Sequence, residues 1–361
     1  MKILMIGTDK RLFDPGSDIE NRFIEYAKLF DELHVIVFTR KGFKEYNLLP
    51  NLRLYPTNSW NRWWYIFDAV RIGRRIKMMD IVSAQDPFEC GIVAWCIARY
   101  IKAKLQLQIH TDFLNKNFFS ESFLNRLRVI IARFLLPQAN CIRVVSARIK
   151  NSLQKQMNIK ERCITILPIF VDKEYFQKNY IKTNIRSKYS FASHIILAAS
   201  RFTREKNISM GIQAMKEIRK FYPNALLLFV GDGPEKKKMQ TLIDKHDLHK
   251  NVIIESWIDD LRPYYGAADI FIITSHYEGY GRTAVEAALY DKPVIMTDVG
   301  IAIGSVVPVE DVSVLSKRII EILGSDDKKN QIVARQREFL LTLPSRREYQ
   351  HLFSDQFNAC I

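Results

Sequence analysis

The sequence has no apolar run approaching the eighteen or so residues that a bilayer-spanning helix needs. It has no Cys-x-x-Cys pair, and its five cysteines (Cys90, Cys96, Cys141, Cys163 and Cys360) are odd in number. That argues against a zinc site or a disulfide frame and leads us to expect reduced thiols used as buried fillers. Residues 1–7 are too short for a signal peptide's apolar region and end in strand-turn chemistry, so they read as a first buried strand and cytoplasmic residence is expected. No internal repeat or low-complexity tract is visible.

What is present is an ordinary globular composition: 361 residues, 48% hydrophobic, 12% aromatic and 26% charged. Such a length exceeds what one core usually serves, so two domains are expected. The formal charge of +15 is unevenly placed. Residues 1–170 hold 27 of the 54 Lys and Arg but only 15 of the 39 Asp and Glu. A first half so basic points to an anionic partner, either nucleic acid or an acidic membrane surface.

Short apolar strands alternate with amphipathic helices along the whole chain. Strands are expected at 2–6, 33–38, 52–55, 80–84, 105–109, 139–145 and 163–167, with helices near 62–78, 88–101 and 146–157 among them. Ser17 or Asp18 can cap the helix implied by Ile19, Phe23, Tyr26, Ala27 and Phe30. Around 168–190 the pattern pauses, and a domain boundary is expected there. A second series has strands at 194–199, 225–230, 252–254 and 269–274 and helices at 206–220, 234–245, 310–323, 326–341 and 344–358. Strands apolar throughout imply parallel sheets covered on both faces. The expected fold class is α/β: two doubly wound, Rossmann-like domains, 1–170 and 171–343, facing across a cleft. Residues 344–361 would cross back to the first domain.

Four places in the second half lie just past strand ends, where open α/β sheets bind ligands. Arg201 and Lys206 could clamp a diphosphate, each charge-assisted bond contributing about 1.5–3 kcal/mol; a solvated basic loop is the bland alternative. Gly231 and Gly233 form a turn like the start of a dinucleotide fingerprint, but Lys236 stands where the third glycine belongs, which excludes a nicotinamide or flavin site. The turn either brings backbone close to a ligand or is simply tight. Trp257 and Ile258 could cover a flat base, or pack in a core. In the stretch 269–298 the glycines 279 and 281 free the backbone between a strand and a helix. The carboxylates of Glu278 and Glu286 then bracket a turn where a ligand could sit against a helix N-terminus. Two surface glutamates on an ordinary turn are equally consistent with the spacing.

Taken together, Arg201 with Lys206, the turn Gly231-Asp232-Gly233-Pro234, Ser275-x-x-Glu278-Gly-x-Gly and the Glu278-to-Glu286 spacing resemble the retaining glycosyltransferases of family 4, with the GT-B fold. Gln85-Asp86-Pro87-Phe88-Glu89 and His110-Thr111-Asp112 match more loosely in the first half. The resemblance implies that Arg201 and Lys206 hold the donor diphosphate and stabilise charge on the leaving group. It implies that Glu286 accepts from ribose hydroxyls, that Glu278 accepts from sugar hydroxyls beside the N–H groups of Gly279, Tyr280, Gly281 and Arg282, and that His110 stands near the anomeric centre. Gly16 and Ser17 fall where the family's first loop approaches the phosphates, although the double glycine common there is absent.

No Asp-x-Asp stands at a strand end in the second half, so two cations in place of a metal ion imply transfer without metal and with no cofactor. A retaining glycosidase would need paired carboxylates roughly 5–5.5 Å apart, and no nucleophile is evident. The family expectation is retention by a front-face, ion-pair-like route. The resemblance implies a nucleotide diphosphate sugar as donor and a saccharide as acceptor, with lipid-linked material favoured by the basic first half and polysaccharide, lipopolysaccharide or glycolipid synthesis as the expected setting. Residues 60–77 and 118–133 interleave aromatics with cations like interfacial helices, and attachment to the inner face of the cell membrane is expected. A nucleotide-sugar epimerase of the same fold is the enzymatic alternative. A basic nucleic-acid-binding protein is the alternative of another class; it leaves the glutamates unexplained and lacks a recognised module, so no nucleic-acid partner is expected.

Overall fold

The computed structural model describes residues 1–177 and 184–361. Contacts divide the chain into two compact units, Met1–Pro168 with Arg346–Ile361, and Ile169–Ser345. Part of the stretch expected to hold the boundary, residues 178–183, lies outside the described residues.

The first unit has eight strands: β1 Lys2–Gly7, β2 Glu32–Val37, β3 Tyr46–Leu49, β4 Leu52–Pro56, β5 Ile81–Ala84, β6 Lys104–Ile109, β7 Cys141–Val144 and β8 Ile164–Ile166. Their order is β3-β4-β2-β1-β5-β6-β7-β8. All neighbours are parallel except β3, which pairs antiparallel with β4 at the sheet edge. The expectation of a purely parallel sheet is therefore corrected. β3 has no fully buried side chain and so lacks the apolar run that marks the other strands.

Between these strands run α1 Asp18–Ala27, α2 Tyr65–Gly73, α3 Glu89–Ile101, α4 Lys116–Glu121, α5 Phe123–Leu135 and α6 Ala147–Met157. Serine caps recur: Ser122 accepts from Asn125 N at the start of α5, and Ser146 from Ile149 N at the start of α6. This satisfies donors that helix geometry leaves open. α3 packs against both α2 and α5. The C-terminal helix Arg346–Asn358 belongs to this unit and stacks Phe353 on Tyr26 of α1 at 3.8 Å between ring centroids.

That helix also overturns a cysteine expectation. Cys141 of β7 and Cys360 are disulfide-bonded, with 5.1 Å between their Cα atoms, across 219 residues of sequence. Spacing could not show this, because packing of the C-terminal helix is what brings the two together. Cys90, Cys96 and Cys163 are free, and only Cys90 is fully buried.

In the second unit come α7 Lys173–Gln177 and α8 Ile185–Lys188, then β9 His194–Ala199, α9 Ile208–Phe221, β10 Ala225–Val230, α10 Lys236–Lys245, β11 Val252–Glu255, α11 Arg262–Ala267, β12 Ile270–Ile273, α12 Arg282–Ala288, β13 Val294–Thr297, β14 Ser305–Val307, α13 Val312–Leu323 and α14 Asp326–Leu341. The C-terminal helix is α15. The six-stranded sheet is parallel throughout, in the order β11-β10-β9-β12-β13-β14. α9 buries Ile208, Ile212, Met215 and Ile218, one stripe at helical spacing, against Leu227, Phe229 and Ile272 of the sheet. The chain winds outward from β9 through β10 to β11 and then returns to β12 on the other side of β9, and the loops after β9 and β12 meet at that switch point.

Candidate functional site

The loops after β9 and β12 of the second unit enclose a cavity of about 270 Å³. Arg201, Lys206, Trp257, Ile258, Glu278 and Arg282 are among the residues that line it. The side chain of Lys206 is mostly covered, and its Nζ lies 2.6 Å from Glu278 Oε1. Ser275 Oγ donates to the same oxygen at 2.7 Å, leaving Oε2 outside both bonds. Arg201 is the exposed member of the set: it reaches Glu205 only at 3.5 Å, with its side chain 69% exposed. A covered, fixed ammonium and an extended guanidinium thus share one cavity.

The two loops are tied by backbone as well as by charge. Thr274 Oγ1 donates to Lys206 O at 2.9 Å, and His276 N donates to Glu205 O at 2.8 Å. Thr297 Oγ1 closes the rear by donating to Ser275 O at 2.7 Å. Trp257 is 58% exposed at the cavity wall with Nε1 on Asp259 Oδ1 at 3.2 Å, so its ring face is not used in a core.

Seven of the residues expected to bind the donor do not line this cavity. Gly231 and Gly233 do not line the cavity. A Cβ on Gly231 would stand 1.9 Å from Ser200 O, and one on Gly233 2.4 Å from Phe202 O. Both have φ above 150°, and Phe202 N donates to Asp232 O at 2.7 Å. The turn therefore supports the backbone that carries Arg201, and glycine is required by that close approach. Gly279 and Tyr280 are buried, and Tyr280 O accepts from Ile301 N at 3.0 Å, whereas Gly281 does line the cavity with φ 96°.

Glu286 is buried behind Arg282 instead of facing the cavity beside Glu278. Arg282 Nε lies 2.7 Å from Oε1, and Tyr265 Oη donates to Oε2 at 2.9 Å. Burial pushes the Glu286 carboxyl up from its ordinary value, against the pull of Arg282, and pushes the Tyr265 hydroxyl far up.

In the first unit, Gly16 and Ser17 are occupied in capping α1. Gly16 N donates to Glu20 Oε2 at 2.6 Å, Ser17 Oγ accepts from Glu20 N at 3.1 Å and donates to Arg11 O at 2.6 Å. A carboxylate already holds the N–H that a phosphate was expected to take. His110 follows β6, with Nε2 3.2 Å from Gln108 Oε1. Burial, then the positive charges of Arg143 and Arg22, push its imidazole pKa down to about 3, so the ring is neutral. Asp112, two residues on, is buried, and burial raises its carboxyl to about 6 against the pull of Arg148.

Two known families match consecutive parts of the chain: Glycosyltransferase Family 4 over residues 24–175 and Glycosyl transferases group 1 over residues 182–339. Together they span both units. The chain belongs to the group 1, family 4 glycosyltransferases. An alpha-monoglucosyldiacylglycerol synthase of Acholeplasma laidlawii is 24% identical over 275 residues, 72% of this chain. The match spans 65% of that relative's length, just under two thirds. An O-antigen biosynthesis glycosyltransferase, WclY of Escherichia coli, is 30% identical over 122 residues, 33% of each chain. The crystal structure of HepE from Anabaena in complex with UDP and glucose superposes with a TM-score of 0.77 at 19% identity, over 99% of this chain and 100% of that one. The fold of this glycosyltransferase is accordingly GT-B, with one mixed and one parallel Rossmann-like sheet.

Ser275 was quoted in the motif but given no task; its bond to Glu278 was legible in the three-residue spacing. Gln108 and Arg143 of the first unit were missed altogether. Their signal was a polar residue inside an otherwise apolar strand: Gln108 in the alternation Leu105-Gln-Leu-Gln-Ile109, and Arg143 within Cys141–Val144.

Proposed function

We propose that this glycosyltransferase moves a sugar, with retention and without a metal ion, from a nucleotide diphosphate sugar to a lipid-linked saccharide or glycolipid acceptor. The observation that carries the reading is the Lys206–Glu278 pair in one cavity with Arg201 and Trp257. Lys206 and Arg201 neutralise the diphosphate, and their positive charge offsets the negative charge that grows as the nucleotide leaves. Glu278, its Oε1 held by Lys206 and Ser275, offers Oε2 to sugar hydroxyls. Trp257 covers the base. Glu286 accepts from ribose hydroxyls when Arg282 swings from its carboxylate to the diphosphate. His110 serves the reacting centre from the first unit, and the transfer follows a front-face route in which the departing diphosphate itself takes the acceptor's proton.

Attachment to an anionic membrane surface belongs to the same reading. α2 and its approach expose Trp60, Trp63, Trp64 and Phe67 beside Arg62, Arg71 and Arg74. α5 exposes Phe123, Leu127, Ile130 and Phe134 as a second stripe opposite its buried Val129, Ala132 and Leu135. A helix apolar on both faces, flanked by Arg126 and Arg133, suits the headgroup boundary of a bilayer. Among the described residues no helix is long and apolar enough to cross a membrane.

Radiolabelled UDP, GDP and ADP sugars, offered with and without membrane lipid extract in EDTA, test the reading. Label entering the lipid fraction from one donor supports it. Conversion of the free nucleotide sugar to an isomer would assign an epimerase instead, and a strict need for Mg²⁺ or Mn²⁺ would defeat the metal-free step.

A further inference from the structure

The strands β5, β6 and β7 bury a chain of polar side chains in the first unit: Ser83, Gln106, Gln108 and Arg143. Arg143 has only donors to offer. Its Nη1 stands 3.0 Å from Gln108 Oε1, so the atom facing it must be the amide oxygen. The amide nitrogen then points to Ser83 Oγ at 3.0 Å and Gln106 Oε1 at 3.5 Å, while Ser83 Oγ itself donates to Gln106 Oε1 at 2.8 Å. Turning the Gln108 amide over would set its N–H groups against the guanidinium, so this orientation is the one the cation permits.

His110 Nε2 meets the same Gln108 oxygen at 3.2 Å. That oxygen carries no hydrogen, so the bond requires the hydrogen on Nε2. A neutral imidazole has one N–H, and Nδ1 is left with its lone pair. Arg143 is in turn held from the C-terminal helix: its Nη2 lies 3.0 Å from Tyr349 Oη and 3.4 Å from Leu167 O, and the guanidinium sits 5.9 Å over the Phe353 ring.

We propose that Gln108 and Arg143 are positioning residues that lock His110 in the tautomer with Nε2 protonated, so that Nδ1 is presented to substrate as a hydrogen-bond acceptor. Tyr349 of α15 extends the lock by fixing Arg143. The use of Nδ1 rests on the transferase reading, in which it accepts from a substrate hydroxyl. The state of the ring does not rest on it.

The test is the ring ¹⁵N chemical shifts of histidine-labelled full-length protein at neutral pH without substrate, with His110 assigned by the signal missing in His110→Asn. A single neutral species with Nε2 protonated is expected, and a ring protonated on Nδ1, or a mixture exchanging between the two, overturns the proposal. Gln108→Leu should release the tautomer and lower kcat about tenfold or more with donor KM nearly unchanged; Gln108→Glu, which keeps an oxygen for both Arg143 and Nε2–H, should restore a single tautomer. Retention of the pure tautomer in Gln108→Leu denies the positioning role, and should that variant not fold, the wild-type spectrum and Gln108→Glu still decide. In turnover, His110→Asn, whose amide oxygen stands near the Nδ1 position, should outperform His110→Gln, and the reverse order counts against Nδ1. Since the spectra need no nucleotide sugar, a protein that transfers nothing would fail the transferase reading alone.

Discussion

The sheet of Ile169–Ser345 buries Ile196, Leu227, Phe229, Ile270, Ile272 and Ile295, side chains with no polar atom. Its buried hydroxyls, Thr274, Ser275, Thr297 and Ser305, come at or past the ends of strands. The sheet of the first unit places Ser83, Gln106, Gln108 and Arg143 inside three neighbouring strands. In the second unit the sheet is a scaffold and the loops at its strand ends line the cavity. In the first, a polar chain runs through the sheet itself, its side chains hydrogen-bonded to one another, as an unpaired buried polar group costs about 1–3 kcal/mol.

That contrast can be broken at several points. Truncating the apolar sheet should do the most: Phe229→Ala is expected to cost about 3–5 kcal/mol of unfolding free energy, and a loss under about 1 kcal/mol in urea titration would mean that this core is not the one that holds the unit. Lys206→Met, in the loops above it, should weaken nucleoside diphosphate binding about 10- to 100-fold, from a loss of about 1.5–3 kcal/mol. Calorimetry finding equal affinity in mutant and parent would remove the donor site from this cavity.

For the first unit the sharper probe is pH. Asp112 is raised by burial from 3.8 to about 6. A carboxyl raised on folding binds its proton more tightly in the native state, so its contribution is present below about 3.8 and is lost as pH rises through 6. Asp112→Asn should therefore gain about 1–3 kcal/mol over the parent at pH 7.5 and nothing at pH 4; an equal difference at both pH values would show that the carboxyl is not buried uncompensated. The smallest effect belongs to the exposed face. Arg126→Gln should weaken sedimentation with anionic vesicles by about 1 kcal/mol, roughly fivefold, and unchanged sedimentation would detach α5 from the bilayer.

Much of the second unit was legible before any coordinates. Its strands are short, β-branched and apolar, and the ligand groups sit at turns marked by Gly, Ser and charge. Position past strand ends singles out Glu278, Arg201, Lys206 and Trp257, the family resemblance gives Glu278, Arg201 and Lys206 their expected roles, and the structure brings all four to one cavity. Spacing does not show a partner that is distant in sequence. Glu286 was expected to face ligand, yet Tyr265, 21 residues away, and Arg282 claim both its oxygens. For Gly231 and Gly233 the spacing allows either backbone close to a ligand or a tight turn, and in the structure they approach the chain at Ser200 and Phe202. Gly16 was lost to Glu20, although the pair lies within one turn, because the sequence pattern of a cap and that of a phosphate loop begin alike.

By itself the sequence determined the alternation of strand and helix, the uneven charge and the set of cations and carboxylates at strand ends, since each follows from local periodicity or composition. Only the tertiary structure decided the orientation of those groups. Packing joined Cys141 to Cys360, turned Glu286 away from the cavity and stacked Arg143, Gln108 and His110 into one bonded line. The Cys141–Cys360, Tyr265–Glu286 and Gln108–Arg143 contacts join residues whose separation in sequence carries no period, so only the folded chain reveals them.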